Sequence, residues 1–202
     1  MPKRLTDIFL IDQLQRLCER YEIECQPAFF ELSGEYTRIL MEWNRTHSLT
    51  TFKSSAELAQ NVFNSIYPIT FLPKFGSCLD VGSGAGFPGI PMSLVFPESN
   101  FVLVEAKGKK YAFLEYVKIS LGIKNLKVIK DRMENISDKF DLITSRAVGS
   151  KEVLDKLTMN ARDEKTKMLL FKGEKEIAKE ETGDNATKIF QMPFGNYILI
   201  GD

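Results

Sequence analysis

Apolar residues recur at helical spacing over the first third of the chain. Leu5, Ile8, Phe9, Leu14 and Leu17 form one stripe behind Thr6 and Asp7, both of which suit a helix start. Pro27 opens a second run whose apolar side carries Phe30, Tyr36, Ile39, Leu40 and Trp43. A third run, Ala56 to Ile66, follows Ser54-Ser55 and shows Leu58, Val62, Phe63 and Ile66. Pro73 and Gly76 punctuate its end. Residues 1–74 are therefore expected to form a helical element.

From Ser77 the pattern changes to short apolar runs alternating with helical stretches. The runs predict strands over Ser77–Val81, Phe101–Glu105, Leu126–Ile129, Phe140–Ser145, Lys167–Phe171, Ala186–Met192 and Asn196–Ile200. Helical stretches fall near 88–96 and 109–121, with a mixed loop at 131–139. Strands alternating with helices predict parallel βαβ units and an α/β, Rossmann-like sheet. Only Pro193-Phe194-Gly195 separates the last two strands. A connection that short requires an antiparallel hairpin, so a mostly parallel seven-stranded sheet with an antiparallel edge is expected over 75–202.

Composition narrows the chemistry. The 202 residues fit one catalytic-sized domain with an appendage, and 44% hydrophobic residues suffice for a core. A single histidine, His47, excludes a multi-histidine zinc site, and it follows no nucleophile-elbow pattern. Cys18, Cys25 and Cys78 are too few for a four-thiolate iron–sulfur cluster and show no CxxC spacing. No metal is expected. Unpaired cysteines suggest a reducing compartment, and no apolar stretch reaches the ~18 residues a membrane span needs. After Met1-Pro2-Lys3-Arg4 the apolar run is broken by Asp7 and Asp12, which argues against a secretory signal. A cytoplasmic protein, working as a monomer, is the expectation.

Charge is balanced overall, with 27 basic and 27 acidic residues, but not locally. Residues 105–132 carry Lys107, Lys109, Lys110, Lys118, Lys124, Lys127, Lys130 and Arg132 against Glu105, Glu115 and Asp131. Such an excess is either a solvated face or the footprint of a polyanion.

The most informative segment is Asp80-Val81-Gly82-Ser83-Gly84-Ala85-Gly86. A strand running into alternate glycines lets the backbone turn sharply and approach a ligand. Phe87 stands where a dinucleotide fingerprint has its third glycine, and the lysine of a phosphate-binding loop is missing. Glu105, at the end of the next strand, is placed to accept from ribose hydroxyls. Asp80 ahead of the turn suits an ammonium group. Ribose with an amino-acid tail describes S-adenosylmethionine, the expected cofactor.

Leu79–Pro91 as a whole, with its Phe87-Pro88-Gly89-Ile90-Pro91 tail, resembles the glucose-inhibited division protein B family. So do Gly108-Lys109-Lys110, Arg132-Met133-Glu134, Ser145-Arg146-Ala147, Lys172-Gly173, and Trp43-Asn44 followed by Leu49-Thr50. The resemblance covers roughly residues 35–200. It implies a class I methyltransferase sheet with an N-terminal helical element. It also implies methylation of guanine N7 in the helix-eighteen loop of 16S ribosomal RNA, in the decoding region, with that RNA or the small subunit as partner.

On this reading Asp80, Gly82, Gly84 and Gly86 hold the methionine end, Glu105 the ribose, and Met133 and Glu134 the adenine, with Phe87 a further cofactor contact. Arg146 is the candidate catalytic residue, set against both cofactor and guanine, where its rigid fork suits guanine O6 or a phosphate. Lys109, Lys110, Arg132 and Lys172 are candidate RNA contacts. Trp43 reads as a packing anchor. His47 reads as structural or a phosphate contact. Guanine N7 carries a lone pair and no hydrogen, so the lack of an obvious general base fits; the motifs of amino-nitrogen and cytosine-C5 methylases are missing. The chain departs from the family pattern at Ser48, at Gln60-Asn61 and Asn64-Ser65 in the third helix, and at Asn196-Tyr197. Two alternatives share the motif: a small-molecule methyltransferase and a non-catalytic RNA-binding protein.

Overall fold

The structure, a computed structural model, describes residues 5–149, 151–173, 187–192 and 195–201. Three helices lead: α1 (Leu5–Arg20), α2 (Pro27–His47) and α3 (Ser55–Ile66). Thr6 and Asp7 lie inside α1 rather than at a cap. Pro27 takes the first turn of α2, where its missing N–H costs nothing, and Ser48 ends that helix in the left-handed region at φ 49°. Ser54 caps α3 by accepting from Glu57 N at 3.2 Å.

The remainder alternates as β1 (Ser77–Val81), α4 (Gly89–Val95), β2 (Asn100–Val104), α5 (Gly108–Leu121), β3 (Leu126–Ile129), β4 (Leu142–Arg146), α6 (Lys151–Thr158), β5 (Lys167–Lys172), β6 (Thr187–Met192) and β7 (Gly195–Ile200). The seven strands lie in the order β3-β2-β1-β4-β5-β7-β6, with β1 to β5 mutually parallel. β7 runs antiparallel to both β5 and β6, which is the edge hairpin the sequence predicts. Its turn at 193–194, and Ala186, lie outside the described residues.

β4 starts two residues later than its apolar run. The Asp141 carboxylate is occupied there, accepting from Gly76 N and Ser77 N at 2.8 Å each and tying down the entry to β1. Between β4 and β5 the apolar pattern predicts no element, yet α6 forms. Over eight residues it offers little more than two turns, with Leu154 as its buried apolar residue and Val153 exposed.

Both faces of the sheet are buried, so strands read as continuous apolar runs. Cys78, Phe101, Leu103, Leu142, Leu169, Phe171 and Tyr197 face one apolar cluster, which continues without a break through Phe113, Phe63, Leu40, Tyr36 and Leu14 of the helices. Alternate residues Leu79, Val81, Val104, Ile143, Leu170 and Ile198 face a smaller cluster with Met133 and Leu154. Each such side chain contributes about 1.5–3 kcal/mol on burial. The N-terminal helices thus share the core of the sheet. Trp43 supplies one joint, its ring centre 5.6 Å from Phe113 and 5.5 Å from Tyr116 on α5, as its anchor reading expects. His47 is exposed and lies 5.3 Å from the same indole. Among the described residues no helix is long and apolar enough to cross a membrane.

Candidate active site

Strand order reverses between β1 and β4, and open α/β sheets bind ligands beyond the carboxyl ends of strands at such a point. Val81 pairs with Ser145, so Gly82 and Arg146 leave the sheet side by side.

The chain turns back immediately after β1. Gly82 N and Ser83 N both donate to the Val104 carbonyl, at 3.1 and 3.2 Å, and Gly86 N donates to Ser83 O at 2.7 Å. Gly84 and Gly86 sit at φ +59° and +97°, a region that side chains disfavour. Their surroundings differ. A Cβ on Gly86 would stand 2.4 Å from Ile90 Cδ1, so packing alone requires glycine there. A Cβ on Gly84 would meet nothing nearer than 3.7 Å, with Lys110 Nζ at that distance. Packing alone therefore does not require glycine at position 84, where the Gly82 carbonyl also stands at 3.7 Å.

Glu105 follows β2 and is buried. Its carboxylate accepts from Gly84 N at 3.0 Å and Lys107 N at 2.8 Å. A carboxylate has about four lone-pair sites, so capacity for ribose hydroxyls remains. Asp80 is placed differently from what an ammonium contact suggests. It is fully buried, accepting from Gly89 N at the start of α4 and from Thr144 Oγ1, both at 3.2 Å. Burial pushes its carboxyl up to about 6, while the hydrogen bonds it accepts and the charge of Arg146 pull it back. Its influence on a ligand in this arrangement passes through the loop it underlies.

Arg146 ends β4. Nη2 donates to Asn61 Oδ1 on α3, and the guanidinium carbon lies 5.8 Å from the Phe87 ring centre and 6.0 Å from that of Phe52. Both rings stand within cation–π range. Nη1 is buried and has no hydrogen-bond partner among the described residues. Burial holds the guanidinium below its ordinary pKa, opposed by Tyr36, Tyr197 and Asp80. An unpaired buried donor is costly, which marks the position where an acceptor from a ligand would be welcome. The carboxylates of Glu105 and Asp141 accept from backbone N–H groups rather than from this guanidinium.

The structure therefore gathers the Gly82–Gly86 loop, Phe87, Glu105, Lys110 and Arg146 around the reversal point. Met133 and Glu134 stand at the carboxyl end of β3, in the turn Met133–Asn135. The Met133 side chain enters the smaller core cluster, whereas Glu134 and Arg132 are exposed. Lys109 is exposed at the start of α5. Lys172 ends β5 opposite Asn196, whose amide donates to Gly173 O at 3.0 Å.

Three contributors are not legible as site residues from the sequence. Asn61 shows there only as a departure from the family pattern, Phe52 lies in the loop before α3, and Tyr36 reads as core. The Tyr36 hydroxyl donates to Ala85 O at 2.7 Å, and its ring lies 5.3 Å from Phe87. One signal exists for it: a tyrosine on an apolar stripe must find an acceptor for its hydroxyl.

The pattern of the family described as rRNA small subunit methyltransferase G matches residues 31–193. A protein named Ribosomal RNA small subunit methyltransferase G from Wolinella succinogenes is 39% identical, over 91% of this chain and 97% of its own. The protein of that name from Helicobacter pylori strain HPAG1 is 44% identical over 75% of this chain and 88% of its own. In fold, the crystal structure of a SAM dependent methyltransferase from Aquifex aeolicus superposes with a TM-score of 0.52 at 17% identity, covering 82% of this chain and 98% of that one. The match spans the third helix, the Gly-rich turn and the strand that ends in Arg146, and on it the chain belongs to the rRNA small subunit methyltransferase G family.

Proposed function

We propose that the chain transfers a methyl group from S-adenosylmethionine to N7 of a guanine in 16S ribosomal RNA, in the helix-eighteen loop of the decoding region. The observation that carries this reading is the pairing, at the strand reversal, of a positive-φ Gly84 turn that packing alone does not require with a buried guanidinium that lacks an acceptor on Nη1 among the described residues. Family membership supplies the substrate class.

When bound, S-adenosylmethionine supplies an electrophilic methyl on a sulfonium. The loop over Gly82, Gly84 and Gly86, with Phe87 beside it, would hold the methionine end. Glu105 would take the ribose, and the Met133–Glu134 turn would border the adenine. Asp80 sets a negative charge beneath the loop, which favours the cationic end of the ligand. N7 attacks with its own lone pair, so no side chain has to remove a proton. The work left to the protein is alignment, worth about 7–11 kcal/mol in well-oriented reactions. Arg146, braced by Asn61 and flanked by Phe52 and Phe87, is suited to that alignment. Its Nη1, turned toward guanine O6, would fix the plane of the base. Lys109, Lys110, Arg132 and Lys172 would meet RNA phosphates. On this reading the chain acts as a monomer in the cytoplasm. Residues 1–74 would serve as the helical element and 75–202 as the methyltransferase domain.

The test uses radiolabelled S-adenosylmethionine and 30S subunits from cells lacking the corresponding gene, with aniline cleavage of the product to report 7-methylguanosine. One cleavage site in the helix-eighteen loop is expected. Labelled RNA without cleavage would move the target atom, and no label despite cofactor binding would defeat the proposal.

A further inference from the structure

Cys18 and Cys25 flank the corner between α1 and α2. The corner stands beside Leu94 and Val95, at the end of α4 away from the Gly-rich loop. Ile23 N donates to Cys18 O at 2.9 Å, closing the corner tightly. The two thiols stand close enough to shift one another's ionisation. Both line a cleft of about 920 Å³ whose rim also carries Glu19, Glu22 and Glu24. Cys25 is half-buried and Cys18 is 2% exposed, so a reagent in the cleft meets Cys25 first. Cys78, by contrast, is buried within the sheet beside Thr144, beyond the reach of solvent.

We propose that Cys18 and Cys25 form a thiol–disulfide exchange site, with Cys25 the attacking and Cys18 the resolving sulfur, that accepts small disulfides and favours cationic ones. The neighbouring Cys18 thiol lowers Cys25 below its ordinary pKa, while Cys25 and burial together raise Cys18. A lowered, accessible thiol next to a second one is the arrangement that supports attack followed by resolution. In the first step the Cys25 thiolate attacks one sulfur of the reagent, the reagent S–S bond breaks, and one thiolate leaves and takes a proton from solvent. In the second, Cys18 loses its proton to solvent and attacks the Cys25 sulfur, expelling the other half of the reagent. The protein is oxidised to a Cys18–Cys25 disulfide and the reagent is reduced to two thiols. The three carboxylates on the rim attract a cationic disulfide and repel an anionic one, and salt weakens the preference.

Cystamine and oxidised glutathione serve as the cationic and anionic probes, on the full chain, with intact mass and peptide mapping as readouts. Cystamine is expected to remove two of the three thiols, to leave no adduct, and to cross-link the peptides holding Cys18 and Cys25. Cys18→Ser should retain one cysteamine on Cys25, and Cys25→Ser should retain none over the same interval. Oxidised glutathione should react several-fold more slowly at low salt, with the gap narrowing at high salt. A wild-type chain that keeps three thiols while its circular dichroism is native overturns the site. Labelling of Cys25→Ser as fast as wild type overturns the assigned order, and equal rates with the two probes overturn the charge preference. Cys78→Ser, expected to behave as wild type, shows that any folding defect in the other variants is not a general effect of losing a cysteine.

Discussion

Tyr36 donates its hydroxyl hydrogen to the carbonyl oxygen of Ala85 across 2.7 Å, and so pins α2 to the Gly-rich loop. The ring is fully buried, with Phe87 packed against it. An N-terminal helix thereby takes part in shaping the cofactor cradle. Removing only the oxygen, as Tyr36→Phe, leaves the packing and releases the loop. The expected loss is about 1–2 kcal/mol, divided between thermal stability and cofactor affinity. Calorimetric titration with S-adenosylmethionine beside a melting curve measures both; unchanged affinity would mean the loop keeps its shape unaided.

The two loop glycines should fail in different ways. Gly84→Val places its side chain in the proposed cradle without a clash for its Cβ, so cofactor binding is lost while the chain stays folded at a cost of about 1–3 kcal/mol for its positive φ. Gly86→Val drives a Cβ into Ile90, and the fold itself should suffer. Circular dichroism separates the cases. A Gly84→Val chain that binds cofactor normally would take Gly84 out of the site.

Asp80 links the site to pH. Its folded pKa, about 6, lies above the ordinary 3.8, so the folded chain binds this proton more tightly than the unfolded one. The stability tied to that proton is fully present below 3.8 and lost as pH rises through 6. Asp80→Asn should therefore raise the melting temperature at neutral pH, by the equivalent of about 1–3 kcal/mol, and change it little in acid. Cofactor affinity should move the other way, because the variant lacks the charge beneath the loop. In the wild type, affinity should fall as pH drops below 6, where the carboxylate is neutralised. Destabilisation by Asp80→Asn at neutral and acid pH alike would mean that its bonds to Gly89 and Thr144 outweigh desolvation.

Arg146→Ala should lower methyl transfer far more than cofactor affinity, and Arg146→Lys should not restore it, since an ammonium cannot span Asn61 and a base edge together. Asn61→Ala leaves the guanidinium less braced, and a fall in kcat of several-fold with cofactor affinity unchanged is expected. Single-turnover assays with 30S subunits report the first quantity. Equal loss of rate and cofactor affinity would assign Arg146 to the cofactor.

Lys109→Glu with Lys110→Glu tests the basic run. If both lysines neutralise phosphates, the slope of log affinity against log salt should flatten by about 2. An unaltered slope would leave them as a solvated face.

The periodic parts of this protein are legible in its residues: three amphipathic helices, a buried parallel sheet, an edge hairpin, and the turn from Asp80 to Gly86. Those features are local, because hydrophobic period and turn chemistry act between residues a few positions apart. Glu105 is legible for the same reason, standing one strand beyond the turn. Partners are not. Asn61 meets Arg146 across 85 positions and Tyr36 meets Ala85 across 49, contacts that exist only once α2 and α3 have packed on the sheet. Asp80 resembles a ligand contact in the motif because its position there says nothing of depth; the start of α4 covers it and raises its pKa. α6 carries Leu154 and Leu157 at helical spacing toward the core, but its eight residues give that spacing only one repeat. Where each polar end lies is a matter of tertiary packing, because desolvation and hydrogen-bond geometry are set by neighbours that the chain brings together from afar.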